Sequence, residues 1–252
     1  MRAKNERVFS QAVEDYVKAV YELQQVSPTA STSDLARLLG ISDAAATKML
    51  KHLASLDLIH HTPYQGARLT PTGERIALEI IRHHRLIELY LHDQLGYAWD
   101  EVHGEAEILE HHISEAFEER LAKLLGDPTV DPHGDPIPTR EGVIAPRRGT
   151  PLSESEPGES LVIMRVSDRD PEVLRYLARI GITLGVHVEV VEKQPFNGPL
   201  TLSMGSATHS VGRELAGHVF VETCQPESHT HTITQSIHPD AQRQLSLRKP
   251  GS

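Results

Sequence analysis

Hydrophobic residues near the start of the chain recur at helical spacing and predict a helix-turn-helix. In residues 9–25 they fall on one helical face, at Phe9, Val13, Tyr16, Val17, Val20 and Leu23. Helical patterns over residues 32–39 and 43–56 follow, separated by Gly40, and Ser42 or Asp43 can cap the second of these helices. Two helices joined by a short turn that contains glycine are typical of a helix-turn-helix.

A β-hairpin and a set of helices are expected next. Residues 58–61 and 67–69 flank the turn sequence at 63–66, which predicts a hairpin and, with the preceding helices, a winged helix-turn-helix. Thr70 before Pro71 then predicts the start of a long helix that reaches about residue 95. Shorter helices expected near Asp100 and Ser114 indicate a helical bundle or a dimer interface.

The pattern changes twice in the second half of the chain. Residues 127–159 are rich in proline, glycine and acidic side chains and predict a linker. Short β-like runs between residues 160 and 223 surround one helix near 171–180 and predict a small β-barrel. We therefore expect a mainly α N-terminal part followed by a small all-β barrel domain. The expected domains cover 1–75, 76–126 and 160–223, and a polar tail at 224–252 is predicted to be disordered.

Composition bears on where the protein works. The chain of 252 residues has no apolar run of the roughly 18–20 residues that a bilayer span needs. Its N-terminal segment lacks the apolar core of a signal peptide, and a single cysteine, Cys224, excludes an internal disulfide. We expect a cytoplasmic protein that does not associate with a membrane.

Acidic residues and histidines are concentrated in the centre of the chain. Residues 76–160 contain 7 Lys and Arg against 18 Asp and Glu, whereas residues 1–75 contain 9 against 8. The same central stretch carries His83, His84, His92, His103, His111 and His112. Carboxylates and imidazoles gathered in one region favour a divalent metal site.

Two sets of candidate metal ligands follow from spacing. Intervals of three and four residues place one set, His103, Glu107, Glu110 and His111, on neighbouring parts of one helical surface. The other set, His84 and Glu88, lies in an apolar stripe where leucines would be expected. Clustered carboxylates are costly unless a cation neutralises them, and these donors suit manganese, iron, cobalt, nickel or zinc. A solvated acidic helix is the alternative for the first set taken alone.

In combination, several motifs resemble the metal-dependent repressors typified by the diphtheria toxin repressor and the manganese transport regulator. The resemblance covers about residues 8–223, and the C-terminal barrel is similar to the SH3-like or FeoA-like third domain of the longer members. The motifs are Glu14-Asp15-Tyr16, the winged helix, Leu69-Thr70-Pro71-Thr72-Gly73, Arg82-His83-His84-Arg85-Leu86, Val102-His103-Gly104-Glu105-Ala106, Glu110-His111-His112 and Asp135-Pro136-Ile137-Pro138.

The resemblance implies specific metal ligands. The regulatory site would use Asp15, Glu107, Glu110 and His111, and a second site nearby would use His84, Glu88 and His103. The third domain could add oxygen ligands from Asp168, Asp170 or Glu172.

Two departures from other members bear on the metal. Manganese-selective members carry a glutamate where this chain has Lys18, which argues against a closely spaced binuclear site. Iron-responsive members have a cysteine and a methionine where this chain has Glu107 and Asp15, so the first site presents no sulfur. Oxygen donors favour Mn(II), with Fe(II) as the alternative.

DNA contacts are expected from the second helix of the helix-turn-helix, over residues 43–56, which we call the recognition helix, and from the hairpin, which we call the wing. Because residues 1–75 are nearly neutral overall, individual lysines and arginines must supply the phosphate contacts. The exposed first half of the recognition helix is the expected base-reading surface, and the resemblance implies that Ser42, Ala44 and Lys48 face the bases. The full set of candidates is Ser42, Ala44, Thr47, Lys48, Lys51, Tyr64 and Arg68.

These expectations describe a metal-dependent, Mn(II)-responsive transcriptional repressor of metal-uptake genes. It would bind a double-stranded DNA operator as a homodimer and would not be an enzyme. Alternatives are an Fe(II)-responsive regulator, a di-metal helical enzyme and a metal buffer. The enzyme is less favoured because the ligands directly follow a winged helix, and the sequence shows no nucleophile motif or glycine-rich phosphate loop.

Overall fold

The computed structural model describes residues 9–62 and 65–224. The predicted wing contact Tyr64 lies outside these ranges, as does the predicted tail beyond Cys224. Within them the expected fold class is confirmed, with helices in the N-terminal part and an antiparallel sheet in the C-terminal part.

The N-terminal domain is a winged helix-turn-helix. Its helices are α1 (Gln11–Gln24), α2 (Thr32–Leu38) and α3 (Asp43–Ser55), and its hairpin pairs β1 (Ile59–Thr62) with β2 (Gly66–Leu69). Ser42 accepts a hydrogen bond from the Ala45 amide and so caps α3, as the sequence predicted. The core consists of apolar side chains from all three helices and the hairpin, including Val17, Leu35, Leu50, Leu53 and Leu58.

The helical domain consists of α4 (Pro71–Leu95), α5 (Val102–Leu109) and α6 (Glu115–Leu124). Thr70 caps α4, and Gly96 ends it in a left-handed conformation with φ of 73°. Most of the predicted apolar stripe of α4 is buried, but Leu95 at the last turn is 54% exposed. Helix α4 packs against α1 on one side and α5 on the other, so it connects the two domains.

The C-terminal domain contains one six-stranded antiparallel sheet in the order β3-β8-β4-β5-β6-β7. Helix α7 (Pro171–Arg179) follows β4, and a short helix α8 (Arg213–Ala216) precedes β8. The strands are β3 (Thr150–Pro151), β4 (Ser160–Val166), β5 (His187–Lys193), β6 (Leu200–Met204), β7 (Ala207–Val211) and β8 (Val219–Thr223). The pattern predicted β4, β5, β6, β8 and α7, but not β3, β7 or α8.

The segment 127–149 has neither a helix nor a strand, yet part of it is buried between the helical domain and the sheet. The His133 carbonyl accepts a hydrogen bond from the Val166 amide, and the His133 ring donates from Nε2 to the Trp99 carbonyl at 2.7 Å. Gly134 has φ of +88°, and a Cβ there would lie 2.2 Å from the Met164 carbonyl oxygen. Trp99 in turn packs into the core of the sheet domain. This segment therefore fixes the sheet domain against the helical domain.

Among the described helices, none combines the length and the apolar character that crossing a membrane requires.

Candidate metal centre

Three helices from two domains bring the predicted metal ligands together. Helix α1 carries Asp15, α4 carries the buried pair His84 and Glu88, and α5 with the turn that follows it carries the rest. Donor atoms from these elements and from the segment 127–149 form four overlapping groups, and within each group the atoms lie within 4.8 Å of one another. We name each group after the residue found in it alone: the Asp15, Glu107, His103 and His133 groups.

The Asp15 group consists of Asp15, Glu110 and His111 and joins the two domains. His111 Nε2 lies 2.7 Å from Asp15 Oδ1 and 3.2 Å from Glu110 Oε1. This nitrogen is buried and has no hydrogen-bond partner of suitable geometry. The other ring nitrogen, Nδ1, lies 2.6 Å from Glu14 Oε2 on α1. The geometry aims a buried imidazole nitrogen at two carboxylates, which is the arrangement that a cation fits.

The charge state of His111 reflects this anionic environment. Burial disfavours its charged form, but the carboxylates of Asp15, Glu110 and Glu14 outweigh burial and raise the pKa of His111 to about 11. The pKa of the Glu110 carboxyl is lowered, because neighbouring His111, His84 and Lys18 outweigh the effect of burial. In the metal-free protein a proton on His111 thus partly compensates the carboxylates.

The Glu107 group consists of His84, Glu107 and Glu110, and the Lys18 ammonium lies within it. Lys18 Nζ donates to Glu107 Oε1 at 2.7 Å and to Glu110 Oε1 and Oε2 at 2.9 and 2.8 Å. It also lies 3.3 Å from His84 Nδ1. Burial lowers the pKa of Lys18, but Glu110 and Glu107 outweigh it and the net pKa is raised.

The His103 group consists of His84, Glu88 and His103. His84 Nε2 lies 2.9 Å from Glu88 Oε1 and 3.0 Å from His103 Nδ1. Burial disfavours the charged form of His84, but Glu88 and Glu110 outweigh burial and raise its pKa to about 10. Of the three predicted ligands in the third domain, Asp168 comes within 3.9 Å of His103 Nδ1. Asp170, by contrast, uses its carboxylate to cap α7 by accepting from the Glu172 amide.

The His133 group consists of Glu88, Asp131 and His133, all buried. Because His133 Nε2 donates to the Trp99 carbonyl, its Nδ1 is left as an acceptor. That atom, Glu88 Oε2 and Asp131 Oδ2 all lack a hydrogen-bond partner, although Arg85 Nε lies 3.4 Å from Asp131 Oδ2. Burial and the neighbouring carboxylates of Glu88 and Asp135 raise the pKa of Asp131. Three converging buried atoms that make no hydrogen bond fit a cation.

Asp131 and His133 were not predicted as ligands because they lie in the segment predicted as a linker. The available signal was an aspartate and a histidine two residues apart, followed by Gly134. Glu14, which contacts the His111 ring, was likewise given no role from its position in the sequence.

A cleft of about 470 Å³ opens onto the Asp15, Glu107 and His103 groups. Its walls include donors from all three domains as well as basic side chains, and among them are Asp15, Lys18, His84, His103, Glu107, Arg147, Asp168 and Arg169. A cation could thus reach the cluster from solvent.

The predicted DNA-contact residues lie on the surface of the N-terminal domain. Ala44, Lys48 and Lys51 are exposed on α3, and Thr47 is half-buried. Ser42 is exposed, although its hydroxyl also caps α3. Arg68 is exposed on β2 of the wing. These six residues are available for contact, and their roles stay predictions.

Three family models match the chain, with limits close to those of the three structural domains. Residues 8–67 match a family model described as the iron dependent repressor N-terminal DNA binding domain. Residues 70–139 match the iron dependent repressor metal binding and dimerisation domain, and residues 150–223 match the FeoA domain.

Comparisons with individual proteins extend over most of the chain. The diphtheria toxin repressor of Corynebacterium efficiens is 29% identical over 213 residues, which are 79% of this chain and 93% of that protein. The transcriptional regulator MntR of Salmonella typhimurium is 38% identical over 103 residues, which are 41% of this chain and 65% of that protein. A solved structure of a manganese-dependent transcriptional repressor in complex with manganese has a TM-score of 0.78 at 37% identity, covering 84% of this chain and 100% of that chain.

Proposed function

Because this chain belongs to the iron-dependent repressor family of metal-dependent, DNA-binding transcriptional regulators, we propose that it represses metal-uptake genes in response to Mn(II). Fe(II) is the alternative metal. The protein acts as a homodimer on a double-stranded operator, in the cytoplasm where the DNA lies, and has no catalytic role.

The observation that carries this proposal is the Asp15 group. It combines Asp15 from the DNA-binding domain with Glu110 and His111 from the helical domain, and it aims the buried His111 Nε2 at both carboxylates without a hydrogen bond of suitable geometry to either. A bound divalent ion supplies positive charge that holds donors from both domains together. Without it, clustered carboxylates repel one another and the two DNA-binding domains of a dimer sample many separations, of which few fit the operator.

The choice of Mn(II) rests on donor chemistry. The four groups present only carboxylate oxygens and imidazole nitrogens, and Cys224, the single cysteine, contacts His187 in the sheet domain. Oxygen-rich sites suit manganese, although affinity alone rises toward iron and later metals.

Exposed apolar side chains on α5 and α6 support the homodimer. Ile108 is 60% exposed, Phe117 49% and Leu124 63%. Because exposed large apolar side chains are typical of interaction sites, we assign these two helices to the contact with the second copy. A two-fold dimer presents two recognition helices to two half-sites.

The test selects tightly bound duplexes from a random library in the presence of Mn(II) and then measures their affinity with each metal. Mn(II), Fe(II), Co(II), Zn(II) and a chelator are compared, the iron under anaerobic conditions. We expect binding with metal and none with the chelator. His111→Ala should abolish the metal response, whereas the control His92→Ala, at an exposed histidine of α4, should not.

Three outcomes would count against the proposal. Equal binding with chelator and with metal would refute metal dependence, and a wild-type response of His111→Ala would refute the Asp15 group as the site. Activation by Fe(II) without activation by Mn(II) would identify iron as the effector.

A further inference from the structure

One of the four donor groups already contains a cation from the chain itself. The Glu107 group offers a nitrogen of His84 and one oxygen each from Glu107 and Glu110, all within 4.8 Å of one another. Lys18 Nζ lies 2.7 Å from Glu107 Oε1, 2.8 Å from Glu110 Oε2 and 3.3 Å from His84 Nδ1. The ammonium therefore occupies the space between the donors where a metal ion would sit.

The ammonium satisfies the carboxylates as a cation does. A lysine offers three N–H donors, and Lys18 directs hydrogen bonds to three carboxylate oxygens of Glu107 and Glu110. Its side chain is only 9% exposed, and Glu110 is fully buried. Because a buried charge pair is costly to break, these contacts hold Nζ in place.

We propose that Lys18 is a built-in cation that excludes a metal ion from the Glu107 group and restricts regulatory metal binding to the neighbouring Asp15 group. This inference rests on the proposed function. Lys18 also ties α1 of the DNA-binding domain to Glu107 on α5 without any metal, so part of the contact between the domains is permanent. The metal ion then supplies only the remaining connection, through Asp15 and His111.

Substitutions of Lys18 should therefore change the number of bound ions or their affinity. In Lys18→Glu the positive charge is replaced by a carboxylate oxygen, which is a fourth donor beside the nitrogen of His84 and the oxygens of Glu107 and Glu110 and completes a ligand set for a divalent ion. We expect this variant to bind one more Mn(II) per chain than the wild-type protein. In Lys18→Met the ammonium is removed with little change in side-chain length. Glu107 then no longer pairs with an ammonium, and the repulsion between Nζ and the incoming ion is lost. Mn(II) should therefore bind at least about tenfold more tightly than to the wild-type protein.

The experiment is equilibrium dialysis of the full-length protein against Mn(II), followed by elemental analysis, without DNA. Lys123→Glu is the matched control, because it makes the same charge change at an exposed lysine of α6 that pairs only with Glu119 among the described residues. It should bind the wild-type number of ions. Circular dichroism reports whether each variant is folded.

Equal Mn(II) stoichiometry in folded Lys18→Glu and in wild-type protein would overturn the inference. If Lys18→Glu does not fold, the affinity of Lys18→Met decides, and an unchanged or weaker affinity would overturn it. Failure of the proposed function looks different, because the wild-type protein itself would then bind no Mn(II) or would bind DNA equally with and without it.

Discussion

At the scale of single residues, Glu14 is an unassigned partner of the metal centre. Its carboxylate lies 2.6 Å from His111 Nδ1, and its side chain is only 12% exposed. A carboxylate that accepts from one ring nitrogen leaves the other free for a metal and fixes the orientation of the ring. Glu14 thus positions His111 from the DNA-binding domain. Because it contacts Nδ1 and the proposed metal ligand is Nε2, Glu14 is not itself a ligand of that ion.

We therefore expect Glu14→Gln to weaken Mn(II) binding roughly 10–100-fold, the usual effect of losing such a partner. Isothermal titration calorimetry measures the affinity, and Glu119→Gln, at an exposed carboxylate of α6, is the control. His111 should remain buried and the fold intact. An affinity within twofold of wild type would show that Glu14 does not position the imidazole.

Spacing along the chain located residues better when they share a helix than when they lie in a loop. His84 and Glu88 were predicted because polar residues four apart interrupt an apolar stripe, and the structure buries both in contact with each other. Asp131 and His133 escaped prediction because a loop has no periodicity, and only the tertiary fold brings them to Glu88.

At the scale of elements, α1 connects the metal centre to the DNA-binding surface. It packs against α4 and also contacts α2 and α3 of the helix-turn-helix. Asp15 lies at its metal-centre face, whereas Lys48 is exposed on α3. The proposed metal ligand and the predicted DNA contact therefore lie on different elements, and we expect their effects to be separable by mutation.

We expect Asp15→Ala to weaken metal activation of operator binding although Asp15 is placed at the metal centre rather than on α3. Lys48→Ala should weaken DNA binding without changing the affinity for Mn(II) in the absence of DNA, because a phosphate or base contact is lost. Fluorescence anisotropy with labelled duplex and calorimetry with Mn(II) separate the two effects. If Lys48→Ala altered Mn(II) affinity, or Asp15→Ala left metal activation unchanged, this division would be wrong.

Element prediction succeeded where local patterns are strong. Helix α4 was predicted from Thr70 and Pro71 at one end, and it begins at Pro71. The strand β7 was not predicted because it lies at the edge of the sheet and exposes most of its residues, so it shows little apolar alternation. The recognition helix α3 was predicted over residues 43–56 and ends one residue earlier, at Ser55. Ser42 marks its start, and the buried leucines give its apolar pattern.

At the scale of the whole molecule, we expect protons and metal to compete for the donor groups between the domains. The pKa of His111 is raised to about 11 and that of His84 to about 10, so both rings are protonated near neutral pH in the metal-free protein. A ligand nitrogen must lose its proton before it binds a metal, so binding releases protons. Because each released proton makes the apparent affinity about tenfold greater per pH unit, Mn(II) should bind more tightly as pH rises.

The stability of the metal-free protein should change with pH in the opposite direction to the Mn(II) affinity, because it falls as pH rises. Groups whose pKa is raised on folding stabilise the native state below their ordinary pKa, here about 6.5 for histidine, and this contribution is lost as pH rises through the raised values near 10 and 11. We therefore expect the melting temperature of chelated protein to fall from pH 6 toward pH 9, while the stabilisation by Mn(II) grows over the same range. Thermal denaturation at each pH, with Mn(II) and with chelator, measures both trends. A stabilisation by Mn(II) that was independent of pH would contradict this prediction, because it would mean that neither imidazole exchanges a proton for the metal.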